Sequence, residues 1–359
     1  MNALVRKLHD STRTDLSAGD TILFRAGKAV ESPTRRHKQL CIALLLTSWF
    51  TNLQAATIIE DFTSNPATRG WCVFGETDLF RWDSTNQNLR VTWDSSKTNS
   101  YFHLPLGTIL SREDDFVLSF DLRFDDYVSG ATSNKPFAAA AAVGLLNLDQ
   151  ATQTNFSRGA GLNPTYGPRN LVEFDFFPSF GSFLPTIAQT IISTNNAWLY
   201  NHDNLAELTP GETFHVTMNY TAATFTLTTT VTNNGVQHGD AQVITVHTNF
   251  DFRLATFSIS SYSDIRDIGS ILAHGAVDNI EITTPPPPAG NCYATFNGSV
   301  WQAQFMSRSN WVYCLERATN LASWTAATAS VPGSGGTLYL DDTSPPMAAA
   351  HYRVKALKP

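Results

Sequence analysis

The stretch Asn170–Pro178, with the sequence NLVEFDFFP, is the clearest indication of the fold of this chain. Apolar and acidic side chains alternate between Val172 and Phe176, and a period of two is typical of a β-strand. Valine and phenylalanine also favour pleated sheets over helices. The pattern therefore predicts a strand over Leu171–Phe177.

Segments of the same character lie on both sides of this strand, and turn-forming residues separate them. Asn233–Gly235, for example, tolerates positive φ. So many antiparallel strands in one module predict an all-β chain whose large module is a two-sheet sandwich with Greek-key connections. The further predicted strands are Phe116–Phe124, Phe214–Tyr220, Phe225–Val231, Val243–Val246, Leu254–Ser260 and Ala276–Ile282.

The segment Phe137–Leu148 has high helix propensity because it contains the alanine run Ala138–Ala142. Its flanking segments nevertheless have strand patterns, and small side chains suit the crowded concave face of a sandwich. We therefore predict a strand here as well.

A proline-rich linker over residues 284–290 divides the chain, because its four prolines cannot donate ladder hydrogen bonds and favour an extended, solvated backbone. The large module is predicted over residues 57–283 and a small β module over residues 291–359. The predicted strands of the small module are Tyr293–Phe296, Trp301–Phe305, Trp311–Arg317, Leu338–Leu340 and His351–Ala356.

Residues 35–55 have the order of a secretory signal peptide. The basic residues Arg35, Arg36 and Lys38 precede the apolar run Leu40–Phe50, and small residues follow it at the cleavage site. The run is much shorter than the roughly 20 residues of a membrane-spanning helix. The sequence therefore predicts a protein that is secreted, periplasmic or on the cell surface.

Residues 1–34 form an unusual extension ahead of this signal. A misassigned translation start would explain them. No methionine occurs between Met1 and Met218, so a true start near Val30 would use a non-standard codon. N-terminal sequencing of the exported protein tests this hypothesis.

The charge of the chain argues against several classes of partner. The net charge is −7, and removal of residues 1–55, which carry eight basic and four acidic side chains, changes it to about −11. An acidic surface repels phosphate backbones and anionic membranes. Neither a Walker loop nor a G-x-G-x-x-G motif after a strand is present, so no nucleotide is predicted, and no histidine motif for zinc occurs.

Three cysteines remain after removal of the signal peptide. Cys292 and Cys314 lie on predicted neighbouring strands of the small module, and export permits a disulfide between them. Two buried thiols are the alternative. Cys72 follows Trp71 in an apolar stretch and is predicted to be a buried core thiol.

Three motifs carry a resemblance to a known fold family. The segments Ile59–Phe62, Asn170–Pro178 and Ala276–Ile282 resemble those of concanavalin-A-like jelly rolls, which include lectins, laminin-G-like modules and family-16 glycoside hydrolases. The resemblance covers residues 57–283 and implies a jelly-roll sandwich. In the small module, Val312–Trp324 and Tyr352–Val354 resemble the fibronectin-III-like modules that end many bacterial exported proteins, where they space, adhere or direct secretion.

The resemblance implies two kinds of chemistry for Glu173 and Asp175, and neither is complete. The hydrolases use E-x-D-x-x-E, and here the third carboxylate is missing, so no acid is present to protonate a leaving oxygen. The lectins complete a two-metal site with downstream Asn, Asp and His, and residues 179–189 contain none of these. We predict outward-facing strand residues and no cofactor, with a calcium ion or a carbohydrate role as the alternative.

Non-catalytic carbohydrate binding is therefore the predicted function, with a polysaccharide-active enzyme whose catalytic residues are displaced, or a structural surface protein, as alternatives. Sugars stack on aromatic rings while polar side chains hold their hydroxyls. The competing interpretation is that Trp198 and Tyr200 lie on alternate faces of a strand with one of them buried. The predicted ligand-binding residues are Trp198, Tyr200, Asn196, Asp203, Tyr166 and Arg169.

Overall fold

The computed structural model describes residues 21–25, 55–158, 169–248, 250–263, 269–346 and 350–359. The chain forms two compact units. The first contains the described residues of the range 55–286, and the second contains those of the range 287–359 together with Thr21–Arg25. Helical structure in the described part of the chain is limited to α1 (Leu148–Ala151) and two 3-10 turns, Pro66–Arg69 and Thr77–Leu79.

Strands account for most of the regular structure, as the alternating patterns predicted. The strands are β1 (Thr21–Arg25), β2 (Ala56–Glu60), β3 (Cys72–Phe74), β4 (Phe80–Asp83), β5 (Asn88–Asp94), β6 (Ser100–Leu110), β7 (Phe116–Ser129), β8 (Phe137–Ala138), β9 (Ala141–Leu146), β10 (Leu171–Phe177), β11 (Thr186–Ile192), β12 (Trp198–Leu205), β13 (Thr213–Thr221), β14 (Thr226–Asn233), β15 (Val236–Gln237), β16 (Gln242–Thr245), β17 (Leu254–Ser261), β18 (Gly269–Thr284), β19 (Ala289–Phe296), β20 (Trp301–Ser307), β21 (Val312–Ala318), β22 (Thr325–Ala326), β23 (Val331–Pro332), β24 (Thr337–Asp342) and β25 (His351–Leu357).

The large unit is a two-sheet jelly-roll sandwich, so the predicted fold class is confirmed. Its seven-stranded sheet has the order β12-β11-β10-β9-β17-β6-β3. The second sheet has the order β15-β14-β13-β7-β18-β5-β4, with β16 beside β14 and with β2 and β8 beside β18. The chain crosses repeatedly between the sheets, and the motif strand β10 lies near the middle of the first.

Aromatic side chains from both sheets fill the space between them. Phe174 of β10 contacts Phe120 edge-on with ring centroids 5.8 Å apart, and Phe176 lies 5.2 Å from Phe124. The face of each sheet that points into this core is called its inner face here, and the opposite face its outer face. Alternation along β10 places Glu173 and Asp175 on the outer face of the seven-stranded sheet.

The alanine-rich segment is a strand, as predicted against its helix propensity. Ala141–Leu146 forms β9 between β10 and β17. A Cβ atom on Gly144 would lie 2.3 Å from the carbonyl oxygen of Val172, so only glycine allows the two backbones to approach this closely. Small residues therefore serve tight strand packing at this position rather than a helix.

The small unit is a two-sheet sandwich as well. One sheet contains β1, β25, β21 and β22, with β23 beside β21, and the other has the order β19-β20-β24. Trp301 stacks on Tyr352 with centroids 3.9 Å apart in its core. Strand β18 ends at Thr284 and β19 begins at Ala289, so the segment without strand structure is shorter than the linker predicted over residues 284–290. The resemblance to fibronectin-III-like modules stays a prediction.

Two predictions about the cysteines are wrong. Cys292 and Cys314 are free thiols. Cys292 lies where the register of β19 against β20 shifts, whereas Cys314 lies on β21, which pairs with β25 in the other sheet. Cys72, predicted to be buried, is exposed because β3 is the terminal strand of its sheet, while the adjacent Trp71 is buried.

Most of the predicted N-terminal features lie outside the described residues. This applies to residues 35–54 of the signal peptide and to residues 1–20 and 26–34 of the extension. Within the extension, β1 pairs with β25, with Leu23 opposite Arg353. Among the residues that the structure describes, no helix has both the length and the apolar character needed to cross a membrane.

Candidate functional site

The outer face of the seven-stranded sheet carries a row of mostly polar residues that includes Glu173. Glu173 lies opposite Thr190 on one side and opposite Gly144 on the other. Further out in the same register are Tyr200, opposite Thr190, and Ser258, opposite Gly144. Directly opposed residues in antiparallel strands share a face, so this row runs across the sheet from the edge strand β12 toward its centre.

Glu173 and Asp175 are completely buried, which corrects the prediction that they face solvent. The alternation of β10 was correctly predicted, but its outer face is covered by a second, smaller hydrophobic cluster. This cluster includes Tyr101, Phe156 and Tyr262. Both faces of β10 are therefore interior, and neither carboxylate is accessible to a ligand.

Arg158 is the cation that pairs with both carboxylates. Its Nε donates to Glu173 Oε2 at 3.1 Å, and its terminal NH2 donates to Asp175 Oδ2. The guanidinium carbon also lies 5.6 Å from the centre of the Tyr262 ring. A buried charge is tolerated only when it is paired and hydrogen-bonded, and Arg158, itself 5% exposed, meets that requirement for two carboxylates at once.

Two hydroxyl groups complete the cluster. Tyr262 donates to Glu173 Oε1 at 2.5 Å, and Thr190 Oγ1 donates to Asp175 Oδ2 at 2.5 Å. We call Glu173, Asp175, Arg158, Tyr262 and Thr190 the buried ionic cluster. Its members come from β10, β11 and two loops, so it joins distant parts of the chain beneath the outer surface.

Burial governs the protonation of this cluster. Loss of solvation, together with the neighbouring charge of Asp175, raises the pKa of Glu173 to about 7, although the charge of Arg158 and the hydrogen bond from Tyr262 oppose the shift. Burial and the adjacent Glu173 carboxylate also raise the pKa of the Tyr262 hydroxyl well above its usual range. Since two carboxyls share one guanidinium, protonation of Glu173 makes the cluster electrically neutral.

The residues around Glu173 and Asp175 do not fit a metal site. No group of three or more His, Cys, Asp or Glu side chains with metal-binding geometry occurs in the described ranges. The guanidinium of Arg158 already spans the two carboxylates that a cation would need. A calcium ion would have to displace this buried positive charge, so no step is assigned to a metal here.

Four of the six predicted ligand-binding residues lie together at the edge of the same outer face. Trp198 and Tyr200 belong to β12, two residues apart, so they share a face and do not lie on alternate faces. Their rings are in edge contact at 5.8 Å. The guanidinium of Arg169 lies 5.3 Å from the centre of the Trp198 ring. Asn196 accepts a 2.9 Å hydrogen bond from the backbone N–H of Arg169.

These four residues have different access to solvent. Tyr200 is 57% exposed and Trp198 is half-buried, whereas Arg169 is only 1% exposed. Arg169 was predicted to hold the hydroxyls of a sugar, but its burial corrects that prediction. It supports the Trp198 ring from below instead. Tyr166 and the side chain of Asp203 lie outside the described residues. We call Asn196, Trp198 and Tyr200, with Arg169 beneath them, the edge site.

Sequence reasoning missed an apolar pocket of about 220 Å³ in the same unit. Its lining includes Phe137 and Phe180, whose rings are 5.6 Å apart, and the highly exposed Phe183 and Leu184. The signal was the density of phenylalanines in the β10–β11 connection. Thr186 is the polar side chain of the lining, so the pocket has little capacity to hydrogen-bond a sugar.

Comparison with known proteins shows similarity in structure alone. No protein-family model matches the chain, and no curated protein sequence matches it. Peanut lectin with a nonapeptide is 18% identical, with 63% of this chain and 98% of the lectin covered and a TM-score of 0.38. The seed lectin of Lotus tetragonolobus is 11% identical, with coverage of 65% and 99% and a TM-score of 0.41.

Lectin I from Ulex europaeus, in complex with the methyl glycoside of α-L-fucose, is a third similar structure. It is 13% identical, with 64% of this chain and 98% of the lectin covered and a TM-score of 0.41. Similarity at these identities and TM-scores assigns no function to this chain.

Proposed function

We propose that this chain is an exported, non-catalytic protein that binds extracellular carbohydrate at the edge site. The observation that carries the proposal is the exposed ring of Tyr200, which lies beside the half-buried Trp198 on strand β12. A sugar ring presents an apolar C–H face, which an exposed aromatic ring can cover. The predicted signal peptide over residues 35–55 supports an extracellular ligand.

The support beneath the Tyr200 ring favours binding. The guanidinium of Arg169 contacts the Trp198 ring, and the Asn196 side chain accepts a hydrogen bond from the backbone N–H of Arg169. The rings are thus held in place before a ligand arrives, which lowers the entropy cost of association. A phosphate-bearing ligand is disfavoured because the chain is acidic and Arg169 is buried.

Burial of the two carboxylates supports the non-catalytic part of the proposal. A general acid or nucleophile must lie within hydrogen-bond reach of its substrate. Glu173 and Asp175 are 0% exposed, and both are engaged by Arg158. They stabilise the fold rather than act on a glycosidic bond.

Glycan-array binding by the intact protein tests this proposal, with calcium and with a chelator. We expect specific binding that is the same in both conditions, because no metal is required. Tyr200→Ala should weaken the affinity about tenfold, equivalent to about 1.4 kcal/mol. Tyr200→Phe is the matched control and should stay within about twofold, because it keeps the ring. Release of glycan fragments would favour an enzyme, and absence of binding would favour a structural protein.

A further inference from the structure

The three-stranded sheet of the small unit packs one face of its central strand, β20, into the core of the unit. On β20, Trp301, Ala303 and Phe305 are buried in the core of the unit. The alternate residues of this strand, Gln302 and Gln304, are half-buried and point to the opposite side. This opposite side is the outer face of the sheet.

Two exposed tyrosines flank Gln304 on that outer face. Gln304 lies directly opposite Tyr293 of β19 and directly opposite Tyr339 of β24. Tyr293 is 62% exposed and Tyr339 is 53% exposed. Because neighbouring strands are about 4.8 Å apart, the two tyrosines are attached about 10 Å from each other across the sheet. We call Tyr293, Gln304 and Tyr339 the tyrosine row.

The next row of the same face is polar throughout. Gln302 lies opposite Thr295 and opposite Asp341, and its Nε2 donates to Asp341 Oδ1 at 2.8 Å. Thr295 and Asp341 are exposed. The face therefore combines two separated aromatic rings with amide, hydroxyl and carboxylate groups, and neither row contains a lysine or arginine.

We propose that this outer face binds a neutral, linear glycan chain that lies across the three strands. One sugar unit stacks on Tyr293 and another on Tyr339. Gln304, which lies between the two tyrosines, and Gln302 in the next row hydrogen-bond to hydroxyls of the glycan. Stacking requires exposed rings, and hydroxyl recognition requires groups that both donate and accept, which amides provide. The two aromatic contacts lie on separate strands, which fits an extended chain better than a single sugar.

The charge of the face selects against other ligands that stack on aromatic rings. Single-stranded nucleic acids also stack on such rings, but their binding needs a positively charged groove for the phosphates. Asp341 gives this face a negative charge instead. A neutral glycan carries no charge that Asp341 would repel, and its hydroxyls can donate to the carboxylate.

This inference goes beyond the edge site, because it places a second, independent glycan site in the other unit. Neither site shares a residue with the other, so each can be removed separately. A chain with two sites for one polymer binds it more tightly than either site alone when both can be engaged at once.

Affinity electrophoresis of the intact protein in gels that contain laminarin, arabinoxylan or galactomannan tests the inference, together with pull-down on insoluble cellulose. The variants are Tyr293→Ala, Tyr339→Ala and their combination. The matched controls are the two Tyr→Phe variants and Tyr200→Ala of the edge site. Thermal unfolding should be unchanged in all of them, since the substituted rings are largely exposed.

We expect at least one polysaccharide to retain the wild-type protein through the tyrosine row. Each single Ala variant should lose about fivefold to tenfold in affinity. The double variant should lose the part of the retention that depends on the tyrosine row, and Tyr200→Ala should keep that part. The Phe variants should stay within about twofold. Retention that is insensitive to the double substitution would overturn the inference, as would no retention in any gel or on cellulose. Retention that is lost in Tyr200→Ala and kept in the double variant would also overturn the inference, because binding would then depend on the edge site alone.

Discussion

The outer face of the seven-stranded sheet is buried at its centre and exposed to solvent at its edge, and this difference in burial determines what the residues at each place can do. At the centre, Glu173 and Asp175 carry the chemistry most often associated with catalysis or metal binding, yet they are sealed beneath a second hydrophobic cluster and paired with Arg158. At the edge, Trp198 and Tyr200 lie on the same face, and the Tyr200 ring is open to solvent.

The comparison separates stability from binding. A buried charge cluster contributes to the folded state only while its charges are balanced, so changes there should affect unfolding. An exposed ring contributes little to folding but can contact a ligand. Substitutions at the centre should therefore change the free energy of unfolding, and substitutions at the edge should change ligand affinity.

The largest effect is expected for Arg158→Met, which keeps much of the side-chain volume and removes the charge. Two buried carboxylates would then lack their cation, and we expect a loss of about 3–5 kcal/mol in the free energy of unfolding. Arg158→Lys is the matched control, because it keeps the charge but loses the forked geometry of the guanidinium. Its free energy of unfolding should lie between those of the wild type and Arg158→Met. Urea unfolding measures the difference, and an unchanged midpoint for Arg158→Met would contradict the role of the cluster.

A smaller, pH-dependent effect is expected for Glu173→Gln. Because the pKa of Glu173 is raised to about 7, the folded protein holds this proton more tightly than the unfolded chain does. The contribution of Glu173 to stability therefore falls as pH rises from about 4.5 to above 7. Glutamine does not titrate in this range. Between low and high pH, the free energy of unfolding of Glu173→Gln should therefore fall less than that of the wild type, by about 1–3 kcal/mol.

Urea unfolding of both proteins at pH 5 and pH 8 measures this effect. Other groups titrate in the same range, including Asp278, whose pKa burial raises to about 6. These groups are common to both proteins, so the comparison isolates Glu173. Parallel pH profiles would show that Glu173 does not exchange a proton in this range.

The strand pattern was predictable because it depends on neighbours in sequence. Leu171–Phe177 has the predicted limits, and the alanine-rich segment was recognised from its context. The strand predicted over Ala276–Ile282 is longer, Gly269–Thr284, because pairing with β7 extends through register shifts that alternation does not reveal.

The covering of β10 was not predictable from the same pattern. Alternation shows that Glu173 and Asp175 share a face, but it does not show what lies over that face. The residues that cover Glu173 include Tyr101 and Tyr262, which are far from it in sequence. Arg158, which pairs with Glu173, precedes it by 15 residues. The available signal was chemical, since a buried carboxylate pair requires a cation.

The sequence predicted which residues lie at the edge site, but the role that it predicted for Arg169 was wrong. A run of aromatic and polar residues predicted Asn196, Trp198 and Tyr200 as ligand-binding residues. The structure brings them together, and their role in binding stays a prediction. The role of Arg169 was misjudged because its 1% exposure depends on packing against Trp198, which sequence does not encode locally. The tyrosine row was missed because its members come from three strands that pair only in the folded unit.

The most direct test of the account is titration of the best-bound glycan of the array against wild type, Tyr200→Ala and Glu173→Gln at pH 7 by calorimetry. We expect Glu173→Gln to bind within about twofold of wild type and Tyr200→Ala to bind about tenfold more weakly. The reverse order, with affinity lost in a folded Glu173→Gln variant and kept in Tyr200→Ala, would contradict it, because the centre of the face would then be the binding site.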